Sequence, residues 1–325
     1  MVIVLKTIKI NFCGFWSSFN KEKNLFVSIL KKHYNVEISD QPDYVICSNR
    51  GLPFEYLKYD CIRIMFMGEN LSPDFTAFDY VIGFDFLDFG DRYFRLPFVF
   101  YFENAIPWTP KKLDRKEAAQ LLKEKKYFCN FIYGHQSASN IREAIFKRLN
   151  EYKQVISPGR FLNNMNTTGC NWREKHQFLS QSKFTIACDS ICYPGFVTEK
   201  ILDPFIYQSI PVYGGSTRIG EDFNTKAFVH CKSLEDVENA VQEVIRLDQD
   251  YEAYLDMFTE YPYTYEKQLE DIYEKLEAFL LNIFEPQPKE SSRRIKYFCA
   301  ENHCEHLNRY RKNYERTPNF LRKLF

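Results

Sequence analysis

What the 325-residue chain lacks narrows it first. It has no apolar run of membrane-spanning length, and the opening stretch, Met1 to Phe12, is short and broken by Lys6 and Lys9. That pattern fits a first strand rather than a signal peptide or a spanning helix, so a soluble or peripheral protein is expected. There is no charge imbalance either: 43 basic residues meet 43 acidic ones. No global field would draw the chain onto nucleic acid or an acidic partner, and no nucleic-acid motif is present. None of the ten cysteines forms a Cys-x-x-Cys pair, and several lie inside apolar runs (Cys47, Cys129, Cys188). Free thiols, buried as small hydrophobes in a reducing compartment, are expected. Internal repeats and low-complexity segments are also missing.

What is there is an alternation of short apolar runs and amphipathic segments. Strand-like runs precede Cys13 and recur at Asp43–Cys47, Cys61–Met67 and Phe78–Gly83, with a helical period from about Lys21 to Lys32. A charged helical segment from Lys111 to Lys126 reads as a domain junction. A second series follows: Tyr127–Tyr133 as strand, Ser139–Leu149 as helix, Val155–Ile156 as strand, Asn171–Ser182 as helix and Lys183–Cys188 as strand. Beyond it, Ser233 is placed as the cap of a helix reaching Arg246, and two further helices end near Phe284. Aromatics make up 17% of the residues, which suits packed cores and sugar-facing surfaces alike. The fold class expected is α/β of the GT-B type, two Rossmann-like domains facing each other across a cleft. The expected boundaries are 1–122 for the N-terminal domain, 123–285 for the C-terminal domain and 286–325 for a tail.

The stretch from Phe196 to Ser216 carries the most chemistry. A strand ends at Cys188, Pro194 and Gly195 turn the chain, and Thr198 is placed to cap a helix with Glu199 and Lys200 in its first turn. Ile210–Tyr213 is the next strand. In parallel α/β sheets such a helix mouth is where nucleotide phosphates and sugars are held, although the stretch alone equally suits an ordinary strand–helix–strand unit with a solvated ion pair. Arg142 lies one turn inside an earlier helix; its guanidinium suits a bidentate phosphate contact as well as a plain surface role. Glu69 follows a strand in Gly68-Glu69-Asn70 and is positioned to act as a general base or simply as a solvated acid. Asp85-x-x-Asp88-x-x-Asp91 has the look of a metal site, with capping and ion pairs to Arg92 and Arg95 the simpler role.

Three segments, Gly68 to Phe75, Phe78 to Tyr93 and Phe196 to Asp203, closely resemble the bacterial α-1,3/4-fucosyltransferases of glycosyltransferase family 10 in residue order and spacing. The similarity runs from about residue 8 to about residue 285. The resemblance implies a GT-B fold, GDP-β-L-fucose as donor, N-acetyllactosamine-type glycans as acceptor and inversion at the anomeric carbon. It implies that Glu69 is the base, that Arg142 and Lys200 hold the pyrophosphate, that Glu199 binds the ribose, and that Phe196 and Ser190 belong to the donor pocket. No cofactor is required by it, Mn²⁺ or Mg²⁺ being left only a stimulating role through released GDP. Three positions depart from the family pattern: Asp189-Ser190-Ile191 replaces Glu-Asn-Ser, Phe196 replaces Tyr, and Gly214 replaces Trp. They leave open a transferase using another nucleotide sugar. A catalytically inactive glycan-binding protein is disfavoured by the joint presence of Glu69, Arg142, Glu199 and Lys200.

From Ser291 to Phe325, nine lysines and arginines stand against three glutamates, a net of +6, with aromatics interleaved. Related enzymes have basic aromatic tails of this kind, so the resemblance implies a cytoplasmic protein with peripheral contact on the inner face of the cytoplasmic membrane. Packing of the tail across the domains is the competing expectation. Cys299, His303, Cys304 and His306 lack the paired spacing of a zinc site, so no metal is expected.

Overall fold

The computed structural model describes residues 5–101, 109–136, 139–318 and 322. They form two compact units, each a parallel sheet flanked by helices. One comprises residues 1–107 with 269–325, the other residues 108–268.

The first unit holds a six-stranded sheet in the order β2-β1-β3-β4-β5-β6. Its strands are β1 (Thr7–Cys13), β2 (Asn35–Ile38), β3 (Tyr44–Ser48), β4 (Ile62–Phe66), β5 (Tyr80–Gly83) and β6 (Tyr93–Arg95). All pairs are parallel. β3, β4 and β5 are buried along their whole length, as near-continuous apolar runs must be when both faces of a parallel sheet are covered. Helix α1 (Leu25–Leu30) covers part of the sheet and is capped by Asn24.

The second unit holds a five-stranded sheet in the order β11-β10-β9-β7-β8, again all parallel. Its strands are β7 (Tyr127–Asn130), β8 (Val155–Ile156), β9 (Ser182–Cys188), β10 (Ile210–Gly214) and β11 (Val229–His230). The connecting helices are α2 (Arg115–Glu124), α3 (Ile141–Tyr152), α4 (Trp172–Gln181), α5 (Glu199–Ile206), α6 (Val237–Gln249) and α7 (Tyr251–Thr259). The cap of α6 is Asp236 rather than Ser233.

Both expected boundaries shift, for packing reasons. Leu113 and Ala118 enter the second core, and Arg115 at the start of α2 pairs with Glu252 and, at 2.5 Å, with Asp256 of α7. The charged segment is therefore part of the second unit rather than a junction. Helix α8 (Gln268–Phe284) places the buried side chains Leu276, Leu280, Ile283 and Phe284 in the first unit, where the Phe284 ring lies 4.4 Å from that of Tyr44. The tail follows it home. Arg294 is buried against the fully buried Asp79 at 2.8 Å, and the Tyr80 hydroxyl donates to the Ser291 carbonyl at 2.8 Å. Helix α9 (Cys299–Arg316) then runs along the same unit, where Lys58 pairs with Glu315 at 3.0 Å. The described part of the tail thus packs on the first unit. Phe320, Leu321 and Leu324 lie outside the described residues.

Asp88 caps the turn at Gly90, while Asp91 pairs with Arg293 of the tail at 3.0 Å. Arg92 donates to the carbonyls of Phe75, Phe78 and Asp79, so its partners are backbone rather than the neighbouring acids. His303 pairs with Asp74 at 3.0 Å, and among the described residues no group of three or more His, Cys, Asp and Glu is placed to hold a metal ion. All ten cysteines are free thiols. No helix among the described residues is long and apolar enough to cross a membrane.

Candidate active site

The order of the second sheet makes its chemistry local. Numbered within the unit it is the 2-1-3-4-5 arrangement, in which the connections leave in opposite directions from two adjacent strands and open a crevice at their carboxyl ends. Those strands are β7 and β9. A cavity of about 750 Å³ opens at this point, lined by Tyr133 and Gly134 beyond β7, by Ala187 in β9, and by Glu199 and Lys200 at the start of α5. The remaining wall comes from the loop after β8 and the first turn of α4, including Arg160, Glu174 and Lys175.

The mouth of α5 is held by a buried polar network. Thr198 caps the helix, its hydroxyl oxygen accepting from the Lys200 N–H at 3.4 Å. The same hydroxyl donates to the Asp189 carboxylate at 2.5 Å, and the Tyr213 hydroxyl donates to it at 2.8 Å. Tyr213 in turn accepts from the Ser216 N–H at 2.9 Å, and the Ser216 hydroxyl accepts from the Gly195 N–H at 2.9 Å. Gly215 is required beside them, because a Cβ there would lie 2.2 Å from the Tyr213 hydroxyl. Burial pushes the Asp189 carboxyl up to about 6, against the pull of Lys200 and of its two hydroxyl donors.

Lys200 and Glu199 sit at the cavity edge, 3.2 Å apart, with Lys200 Nζ also 3.3 Å from the Thr198 hydroxyl. Burial opposes ionisation of Glu199, yet Lys200 and Lys175 hold its carboxyl below the usual glutamate value. Lys175 is neutralised by Asp203 at 2.6 Å. The α5 N-terminus adds the positive end of its dipole.

Arg142 lies in the first turn of α3, directly after β7. It is buried, its guanidinium stacks 4.2 Å above the Tyr133 ring, and one terminal nitrogen donates to the His135 carbonyl. Its buried Nε has no hydrogen-bond partner among the described residues. Burial lowers its pKa from the ordinary arginine value. A stacked guanidinium with an unsatisfied N–H is pre-oriented for an anion.

Arg160 was not singled out by the sequence. It follows Ser157-Pro158-Gly159, a turn after a two-residue strand. Gly159 is demanded by close approach, since a Cβ there would sit 2.5 Å from the Tyr133 carbonyl oxygen. Asn164 donates to the Val155 carbonyl at 2.8 Å, Asn163 to that of Gly159 at 2.7 Å, and Thr167 to that of Pro158 at 2.8 Å. This loop presents Arg160 exposed at the cavity wall, with no ion pair among the described residues. The signal available was positional: a Pro-Gly turn at the carboxyl end of a parallel strand.

Three expected donor residues stand differently. Arg142 is buried behind Tyr133, Phe196 is only 3% exposed and Ser190 is exposed in the turn after β9; none of them lines the cavity.

In the first unit, Glu69 follows β4 and is about half exposed, its carboxylate 2.8 Å from Arg50. Asn49 accepts from the Gly68 N–H at 3.1 Å and so ties the end of β4 to the loop after β3. Arg50, another residue the sequence did not single out, orients a carboxylate that is otherwise open to solvent.

Comparison with known proteins places these features. Residues 10–102 match the model of the α-(1,3)-fucosyltransferase FucT N-terminal domain, and residues 122–319 match that of glycosyltransferase family 10 (fucosyltransferase), C-terminal part. The chain is 32% identical to the α-(1,3)-fucosyltransferase FucT of Helicobacter pylori over 72% of its own length and 55% of that protein's. It is 24% identical to a putative fucosyltransferase of Acanthamoeba polyphaga mimivirus over 73% of its length and 40% of the relative's. The chain therefore spans about half the length of these relatives. A crystal structure of an α1,3-fucosyltransferase superposes with a TM-score of 0.70 at 27% identity, covering 87% of this chain and 91% of the other. One solved with GDP-fucose gives 0.65 at 26%, covering 86% and 92%. The fold is of the GT-B class, and the chain belongs to glycosyltransferase family 10, the fucosyltransferases.

Proposed function

We propose that the chain transfers L-fucose from GDP-β-L-fucose to O3 (or O4) of N-acetylglucosamine in N-acetyllactosamine-type glycans, with inversion. The observation that carries this reading is the cavity at the β7/β9 switch point, edged by Lys200 and the α5 mouth. The acceptor hydroxyl attacks the fucosyl C1 as Glu69 takes its proton, and the C1–O bond to the β-phosphate breaks with its electron pair leaving on GDP. A single displacement needs one base on the face opposite the leaving group and no covalent carboxylate partner. Arg142, Lys200 and the helix dipole stabilise the charge that collects on the departing diphosphate, and Glu199 accepts from the ribose hydroxyls. Two fixed cations and a helix N-terminus supply this stabilisation without a required metal, so chelation by EDTA leaves transfer in place.

The test is a donor panel with one N-acetyllactosamine acceptor, reading product linkage by NMR. Fucose in α-1,3 or α-1,4 linkage is the expected product. Transfer from a different nucleotide sugar alone selects the second reading, which rests on Asp189-Ser190-Ile191, Phe196 and Gly214, the positions that depart from the family pattern. Glu69→Ala is expected to lower kcat by about 10²–10⁴-fold, with GDP affinity intact; near wild-type turnover removes Glu69 from the role of base.

Ten free thiols fit a cytoplasmic location. Because Arg293 and Arg294 are already paired with acids, peripheral contact with an anionic membrane falls to the exposed Lys312 and Arg316 of α9. Their replacement by Gln, followed by liposome co-sedimentation, tests that contact.

A further inference from the structure

A second cavity lies wholly within the first unit, about 690 Å³ in volume, between the segment Pro73–Thr76, the turn at Phe89 and the tail from Ile295 to His303. None of these residues has a part in the proposed chemistry. The Phe75 and Phe89 rings pack 4.3 Å apart and the Arg92 guanidinium lies over both, at 5.1 and 5.2 Å. Arg92 is itself fixed by its bonds to three carbonyls, so the aromatic pair is a rigid platform. Opposite it, Tyr297 is 78% and Phe298 67% exposed. Phe298 has a φ of 29°, a backbone conformation that an aromatic residue rarely adopts.

The polar groups on this wall are already engaged. Asp74 is matched by His303, Asp91 by Arg293, and Arg92 by backbone carbonyls. Those bonds and the two rings hold the Arg92 guanidinium in place, so it is not free to close over a phosphate or an anionic headgroup. The remaining chemistry is exposed aromatic faces with a hydrogen-bonding rim, at Thr76 and the Asp74–His303 pair. A pyranose ring has the matching surface: an apolar C–H face and an uncharged polar edge. Position adds a further constraint. Asp74 is five residues beyond Glu69, at most about 18 Å of fully extended chain, so the segment bearing the proposed base continues into the cavity wall.

We infer that this cavity is a second saccharide subsite, which takes sugar residues of an extended acceptor beyond the one that reacts. The link to an acceptor rests on the transferase reading; the sugar site itself stands on the cavity.

The experiment compares the N-acetyllactosamine disaccharide, its linear hexasaccharide and the octyl glycoside of the disaccharide, using the full chain, Tyr297→Ala and Phe89→Ala. Losing one ring is expected to cut the KM advantage of the hexasaccharide over the disaccharide by about three- to tenfold. GDP affinity and the thermal midpoint verify that the variants are folded. An advantage that survives both substitutions overturns the proposal. So does a variant-sensitive gain from the octyl chain with none from the added sugars, because the cavity would then take lipid. If the wild-type chain transfers nothing, calorimetry with the hexasaccharide still decides: binding weakened in the variants supports the site, and equal binding or none overturns it.

Discussion

Each unit contains one fully buried aspartate at the centre of a polar network, and the two are built in opposite ways. Asp79 is surrounded by donors that need no ligand: the Arg294 guanidinium and the N–H groups of Arg63, Arg293 and Arg294. Asp189 has two hydroxyls, from Thr198 and Tyr213, and its ammonium neighbour Lys200 lies at the cavity edge. The first network is closed and fastens the tail to the sheet. The second stays short of positive charge beside the α5 mouth, and burial leaves its carboxyl titrating near 6. A buried acid with its counter-ion in place reads as scaffold; one held by neutral donors beside a cavity belongs to a site.

The sharpest way to break this contrast is to open the closed network. Arg294→Ala leaves Asp79 buried and without its cation, and is expected to destabilise the chain by about 3–5 kcal/mol, read from urea unfolding. A loss under about 1 kcal/mol would mean that the pair behaves as a surface bridge.

The open network is tested by pH. The Asp189 pKa is raised in the folded chain, so the native state holds that proton more tightly than the unfolded one. Its contribution to stability is complete below about 3.8 and is lost as pH rises through about 6, amounting to about 3 kcal/mol. Asp189→Asn keeps one of the two acceptor oxygens, puts an amide N–H₂ in place of the other, and carries no proton to lose. Its unfolding free energy is therefore expected to gain on the wild type between pH 4 and pH 7. Parallel pH profiles for the two proteins would contradict the shift.

Next in size is Lys200→Ala, which takes away the cation at the helix mouth. A drop of about a hundredfold or more in transfer rate is expected, with the unfolding midpoint barely moved because Lys200 is partly exposed. Smallest is Arg160→Ala. The guanidinium has no protein ion pair among the described residues, so its loss should leave stability within about 0.5 kcal/mol. GDP affinity is expected to fall about tenfold, in line with one lost charge-assisted contact. Unchanged GDP affinity by calorimetry would remove Arg160 from the donor wall.

Much of the second unit was legible from residue order because its elements are local. The run Lys183–Cys188 is β9 but for its first residue, Thr198 is the cap of α5, and Glu199 and Lys200 sit in its first turn where the sequence placed them. Periodicity and capping act over one or two helical turns, so they can be read without knowing the fold. The short strand β6 was missed, because three residues of a parallel edge show no period. Arg160 and Arg50 were missed for a related reason: nothing local distinguishes a loop arginine that faces a cavity from one that faces solvent.

By itself the sequence determined the two Rossmann-like series, the family, and the acid and base at the α5 mouth, since each is written in consecutive residues. Only the tertiary structure decided the rest. It set the strand order that brings β7 beside β9, gave the tail to the first unit through Arg294 and Asp79, and buried Asp189 and Phe196 while leaving Arg160 exposed. Burial and pairing across hundreds of residues depend on how complete surfaces fit together, and no window of neighbouring residues contains that information.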